Sequence, residues 1–149
     1  MSATPSPWRV RRVDWETHRH RLTPIRHQVF VVEQGVPAAL ELDEYDAVSR
    51  HLLAESPAGE PVGTGRLLPD GHIGRVAVLA HWRGQGLGRA LMQAFIGLAR
   101  EQGMAEVVLN AQTHAGPFYE ALGFRPEGAV FQEAGLPHQT MRLSLKETP

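Results

Sequence analysis

The period of the apolar positions changes several times along the chain, and each change marks an element. In WRVRRVD (8–14) arginines alternate with apolar residues, the two-residue period of a short strand at a sheet edge. Thr23 followed by Pro24 reads as an N-cap with proline at the first helical position. Ile25, Val29 and Val32 then repeat at helical spacing until Gly35 and Pro37 stop the helix. The stretch to about Ser49 reads as a loop with a short helical turn. RHLLAES and EPVGTGRLLPD flank PAG, which predicts a hairpin, and Asp70 with Gly71 marks a further turn. HIGRVAVLA is apolar on both faces, so it predicts a central strand covered on both sides. Leu87, Leu91, Ala94 and Leu98 form a helical stripe closed by Gly103. AEVVLNAQ reads as a buried strand, AGPFYEALGF as a short helix ending at Gly123, and FRPEGAVF with HQTMRLSL as a closing hairpin.

The order is βα(loop)ββ, then βαβα, then ββ, which predicts an α/β fold: a mixed central sheet with helices on both faces. The site is expected at the carboxyl end of the central strand, where three glycines follow. At 149 residues, without repeats or linkers, residues 1–149 are expected to form one domain. A net charge of −1 gives no global basic field, so no nucleic-acid partner is expected. The chain has no cysteine, which excludes disulfides, thiolate metal sites and a cysteine acyl-enzyme. The eight histidines show no ligand spacing, so no metal is expected. MSATPSPW has neither a basic nor an apolar leader region, and no segment nears eighteen apolar residues, so a cytoplasmic protein away from the membrane is expected.

Gly84, Gly86 and Gly88 stand where a strand gives way to a helix, between Arg83 and Arg89. The first N–H groups of a helix lack partners and carry the positive end of the macrodipole. Bare backbone lets an anion reach them, and flanking arginines add charge-assisted bonds. This predicts an anion cradle, best suited to a phosphate ester; a turn that merely allows close packing is the plainer reading. A dinucleotide fingerprint fails because the third glycine falls one residue early, and a P-loop fails because Arg89 and Ala90 follow Gly88.

At these residues the chain resembles the GCN5-related N-acetyltransferase (GNAT) superfamily, whose [QR]-x-x-G-x-[GA] signature matches Arg83, Gly84, Gln85, Gly86, Leu87 and Gly88. PFYEALGF (117–124) resembles the F-Y-x-x-L-G-F segment of the same superfamily, about thirty residues further on. VFVVEQGVP, LDEYD and EAGLPHQTMRL are similar to the ElaA-type subgroup. The resemblance implies the acyl-CoA N-acyltransferase fold, with a splay between the two central strands that often rests on a β-bulge. It implies acetyl-CoA as cosubstrate and a primary amine as acceptor, joined by direct attack in a ternary complex, and it allows a homodimer.

By position, the backbone of residues 83–89 would hold the pyrophosphate. Val76, Ala77 and Val78 would pair with the pantetheine arm as an added strand, with Asn110 and Phe118 beside it. The N–H of Val78 or Ala77 would receive the oxyanion. Tyr119 matches the general acid that protonates the departing thiolate; a core aromatic is its plainer reading. An alkylamine is mostly protonated at neutral pH and needs a base. Glu33 is the first candidate, with His138 and His51 as alternatives, and a water chain would need none of them. A non-catalytic acyl-CoA-binding module would keep the cradle without use for Tyr119.

Charge is uneven. Residues 33–49 hold Glu33, Glu41, Asp43, Glu44 and Asp46 with no lysine or arginine, while residues 71–100 hold Arg75, Arg83, Arg89 and Arg100 with no acid. If Glu41, Asp43, Glu44 and Asp46 rim the acceptor side, they favour a cationic amine; a loop charged only for solubility predicts no preference.

Overall fold

The arginine–valine alternation at the start does produce an edge strand. In the computed structural model, which describes residues 8–146, β1 (Arg9–Val13), β2 (Arg50–Glu55), β3 (Pro61–Leu67) and β4 (Ile73–Val78) form an antiparallel sheet in that order. A second antiparallel sheet holds β5 (Glu106–Gln112), β6 (Arg125–Glu133) and β7 (Leu136–Ser144), with β7 in the middle. The helices are α1 (Trp15–Arg26), α2 (Ala38–Glu41), α3 (Leu87–Glu101) and α4 (Gly116–Ala121). Among the described residues no helix is long and apolar enough to cross a membrane.

Side chains alternate across the first sheet and bury a different helix on each face. Leu52, Ala54 and Val62 pack with Leu87, Leu91 and Phe95 of α3; Leu53, Val13 and Ala77 pack with Leu22 and Ile25 of α1 and with Val29 just beyond its end. The two-layer core so formed is the mixed α/β architecture expected from the element order.

The first helix starts earlier than Thr23 and Pro24 suggest. Asp14 caps it, its Oδ2 accepting from the Thr17 N–H at 3.1 Å, and the Thr23 hydroxyl instead donates back to the Arg19 carbonyl at 2.8 Å. Pro24 therefore sits inside α1, where it has no N–H to donate. After Arg26 the helix continues as a wider π-helix, His27–Glu33, and ends at Gly35 with φ +72°. The wider turn breaks the expected repeat: Ile25 and Val29 are buried, but Val32 is exposed.

The central strand also differs from its expectation. Helices cover both faces of β4, yet only one of its edges is paired along its length. Across from it, β5 is joined by a single parallel bridge, His72 with Val108, and by the Val108 N–H to Gly71 carbonyl bond of 3.0 Å. Beyond that point the strands part.

β3 and β4 lose register between Thr64 and Arg66, so that Arg75 and Val76 together face Gly65. A Cβ on Gly65 would lie 2.6 Å from Phe95 Cε2 and 3.2 Å from Val76 Cγ2, so α3 can sit this close only over a glycine. Gly65→Ala is expected to cost about 1–3 kcal/mol as an overpacked core, lowering Tm by several degrees. A thermal melt within one degree of the unmodified protein would show that Phe95 can step aside.

Candidate functional site

β4 runs into a single 3-10 turn, Ala80–Trp82, and then into the glycines. Gly84 has φ +74° and Gly86, the N-cap of α3, has φ +92°, conformations that residues with a Cβ rarely adopt. The first bond within the helix runs from the Ala90 N–H to the Gly86 carbonyl, so the N–H groups of Leu87, Gly88 and Arg89 have no helical partner. The cradle is open: a Cβ on Gly84 would meet nothing within 4 Å. Trp8 closes in on Gly86 and Phe118 on Gly88, with ring atoms 3.8 and 3.7 Å from where a Cβ would stand.

Of the two flanking arginines, only Arg89 is left to meet an anion. The Arg83 side chain turns back to the sheet, where Nε donates to the Val78 carbonyl (2.8 Å) and Nη2 pairs with Glu33 (2.7 Å). Glu33, at the end of the π-helix, thus ties the glycine loop to the first helix and stands as the partner of a cation. Its neighbour Gln34 accepts from Gln112 Nε2 at 2.9 Å, so two successive residues fasten the helix end to both sides of the parting strands.

Where β4 and β5 separate there is a cleft of about 700 Å³. Val76, Asn110, Tyr119 and His138 all line it. The Leu79 N–H bonds the Val62 carbonyl on β3 (2.9 Å), so by antiparallel alternation Leu79 and Ala77 face β3 while the Val78 amide faces the gap. Of the two oxyanion donors implied by resemblance, Val78 is therefore the one presented to the gap; the Ala77 side chain is buried against α1. On the other wall the Thr140 hydroxyl donates to Asn110 Oδ1 (2.9 Å), leaving the Asn110 amide N–H groups to a ligand.

Tyr119 packs edge-on against Phe118 and Phe124, and burial raises its phenol above the ordinary value, so it is a proton donor at neutral pH. His138 is buried, with Nδ1 2.8 Å from the Leu136 carbonyl. A carbonyl can only accept, which puts a hydrogen on Nδ1; in the neutral ring Nε2 is then the acceptor, and it stands 3.7 Å from the Glu133 carboxylate. His51 is not part of the cleft. It is 1% exposed, stacked on Trp15, with Nε2 2.8 Å from the Asp46 carbonyl, and burial pushes its pKa down. As a candidate base it is removed by position.

The acidic segment is not a free rim. Arg26, buried beneath α2, bonds Glu41 through Nε and Asp46 through Nη1 (2.6 Å). Arg66 takes Asp43 (2.6 Å) and Asp46 (2.8 Å), and Arg75 reaches Asp43 at 3.3 Å. Three carboxylates meet three guanidinium groups, and of the four acids expected to rim the site only Glu44 makes no such pair among the described residues. The preference for a cationic amine loses its basis. Arg75 stands at the bulge with φ +51°, a left-handed conformation costing a non-glycine residue roughly 1–2 kcal/mol. Sequence reasoning counted Arg75 in a basic run but gave no site role to it, to Arg66 or to Gln34; the one local signal was an arginine set between Gly74 and Val76 in an otherwise apolar strand.

The profile of the acetyltransferase (GNAT) domain family matches residues 17–145. An uncharacterized N-acetyltransferase of Bacillus subtilis, YjcF, is 40% identical over 121 residues, 78% of this chain and 86% of that protein. The crystal structure of Escherichia coli ElaA superposes with a TM-score of 0.82 at 30% identity, over 92% of this chain and 99% of ElaA. An acyl-CoA N-acyltransferase from Pseudomonas aeruginosa superposes with a TM-score of 0.80 at 33% identity, over 92% and 98%.

The ionic network carries a pH signature. Burial of Asp46 works to raise its pKa, but the bonds from Arg26, the Asp43 N–H and Arg66 outweigh it and hold the carboxyl below its ordinary value; the bond from Arg66 does the same for Asp43. A lowered folded pKa gives stability that is complete above the unfolded value near 3.9 and is lost as pH falls through the folded one. Tm is expected to drop steeply below about pH 4, and Asp46→Asn to melt lower at pH 7 with a flatter acid limb. Parallel curves for the two proteins would contradict the assignment.

Proposed function

The chain belongs to the GNAT acetyltransferase family, and we propose that it transfers an acetyl group from acetyl-CoA to a primary amine by direct attack in a ternary complex, with residues 1–149 acting as one catalytic domain. One observation carries the reading: an open backbone cradle at the start of α3 leads along the unpaired edge of β4 into a cleft that holds a protonated phenol. A phosphate seated on the amides of residues 84–89 would direct the pantetheine arm along Val76 and Val78, where backbone amides face the gap. The thioester would then lie between Val78 and Tyr119.

The amine nitrogen attacks the thioester carbon. The N–C bond forms, the C–S bond breaks, and the Val78 N–H receives the oxyanion. Tyr119 gives its proton to the departing sulfur and regains one from solvent. The proton shed by the nitrogen goes to His138 Nε2, whose imidazolium then faces Glu133. Among the base candidates geometry favours His138, because it lines the cleft while Glu33 is engaged with Arg83.

At a hundredfold excess over its Kd, acetyl-CoA is expected to add about 2.7 kcal/mol, a rise in Tm of roughly 5 to 10 °C. Gly86→Glu places a carboxylate in the cradle and should abolish that rise. Tyr119→Phe should keep it while lowering kcat about a hundredfold or more. Tyr119→Phe with unchanged turnover would overturn the acid assignment, and binding without turnover of any amine would leave an acyl-CoA-binding module.

A further inference from the structure

Arg75 holds a strained backbone position that glycine would fill without penalty, and its side chain gives the reason an arginine stands there. From the bulge in β4 the guanidinium extends along the cleft wall. Nε donates to the Glu41 carbonyl (3.1 Å), and Nη2 to the Leu40 carbonyl (3.2 Å) and Asp43 Oδ2 (3.3 Å). Nη1 bonds no described residue, the side chain is 31% exposed, and Arg75 is one of the residues lining the cleft.

Its charge is the least compensated of the three arginines. Arg26 lies between Glu41 and Asp46, and Arg66 grips both oxygens of Asp43 and one of Asp46. Arg75 shares only the Asp43 oxygen that Arg66 Nη2 already holds at 2.9 Å. Burial first, then repulsion from Arg66 and Arg26, draws its pKa below the ordinary value, and Arg66 Nε is itself buried without a partner. Arg75 Nη1 is therefore left without a carboxylate among the described residues. The opposite wall presents His138 and Glu133, a proton acceptor backed by a carboxylate. Phe30, Val36, Leu40 and Leu68 line the same cleft.

We propose that the acceptor amine also carries a carboxylate, received by Arg75 Nη1, so that the substrate class is amino acids, with apolar side chains favoured by the lining. The inference rests on the acetyl-transfer reading above and reverses the charge preference expected from the acidic segment. A charge-assisted contact from Nη1 to the carboxylate binds the acceptor and holds its amino group toward His138.

Matched pairs test it. CoA release from acetyl-CoA is measured with phenylalanine against phenethylamine, leucine against isoamylamine, tryptophan against tryptamine, and the remaining standard amino acids against their decarboxylated amines. At least one amino acid should show kcat/KM tenfold or more above its amine. Arg75→Gly, which suits the backbone, should bring that ratio to within about twofold of unity through KM, as should Arg75→Gln, which keeps a polar side chain without the charge. The proposal is overturned if every amine matches or exceeds its amino acid. It is equally overturned if the ratio survives both substitutions, or if no pair turns over while acetyl-CoA still raises Tm. Loss of the acetyl-CoA shift in the unmodified protein would instead sink the transfer reading, and this one with it.

Discussion

β4 and β5 are held together at one end and kept apart at the other, and everything the site can do depends on that. The Val108 N–H to Gly71 carbonyl bond pins the two sheets where the strands start. The bulge at Arg75 and Val76 then bends β4 away, so the Val78 amide faces open space instead of a neighbouring strand. An unpaired strand edge inside a protein is costly unless something else meets its polar groups. Here Arg83 takes the Val78 carbonyl, and Val76 lines the cleft that opens beside the strand.

Keeping the gap open requires that both walls be fixed to something rigid. The π-turn after Arg26 does part of this, because the extra width brings Glu33 and Gln34 to the ends of opposite walls. The arginine network does the rest. Arg26 of α1, Arg66 of β3 and Arg75 of β4 converge on Glu41, Asp43 and Asp46, so one short loop is anchored to a helix and two strands. Losing either side of such a buried pair exposes an uncompensated charge to low dielectric, which makes the loop's position hard to alter piecemeal.

Local signals were legible, and long-range ones were not. The glycine spacing, the stripe of α3 and its Gly103 terminus could be read because each depends on residues within a few positions of one another. Asp14 lost to Thr23 and Pro24 as the start of α1 because a threonine followed by proline is the stronger local pattern, and only packing shows that Leu22 belongs to the buried face. Neither the π-turn nor the bulge has a composition signature, since the bulge is filled by an arginine and not a glycine. The acidic run misled for a related reason. Its partners lie 15 to 32 positions away in sequence, so it read as free charge. Of the residues proposed from sequence, Tyr119, Asn110, Val76 and His138 line one cleft, while Glu33 sits on an arginine and His51 in the core.

Amide hydrogen exchange with and without acetyl-CoA tests the central claim most directly. The account predicts new protection confined to the amides of residues 84–89, Val76 and Val78, with the β2–β3 hairpin unchanged. Protection that falls elsewhere and leaves residues 84–89 exchanging freely would mean that the open edge of β4 and the glycine cradle do not form the acyl-CoA site.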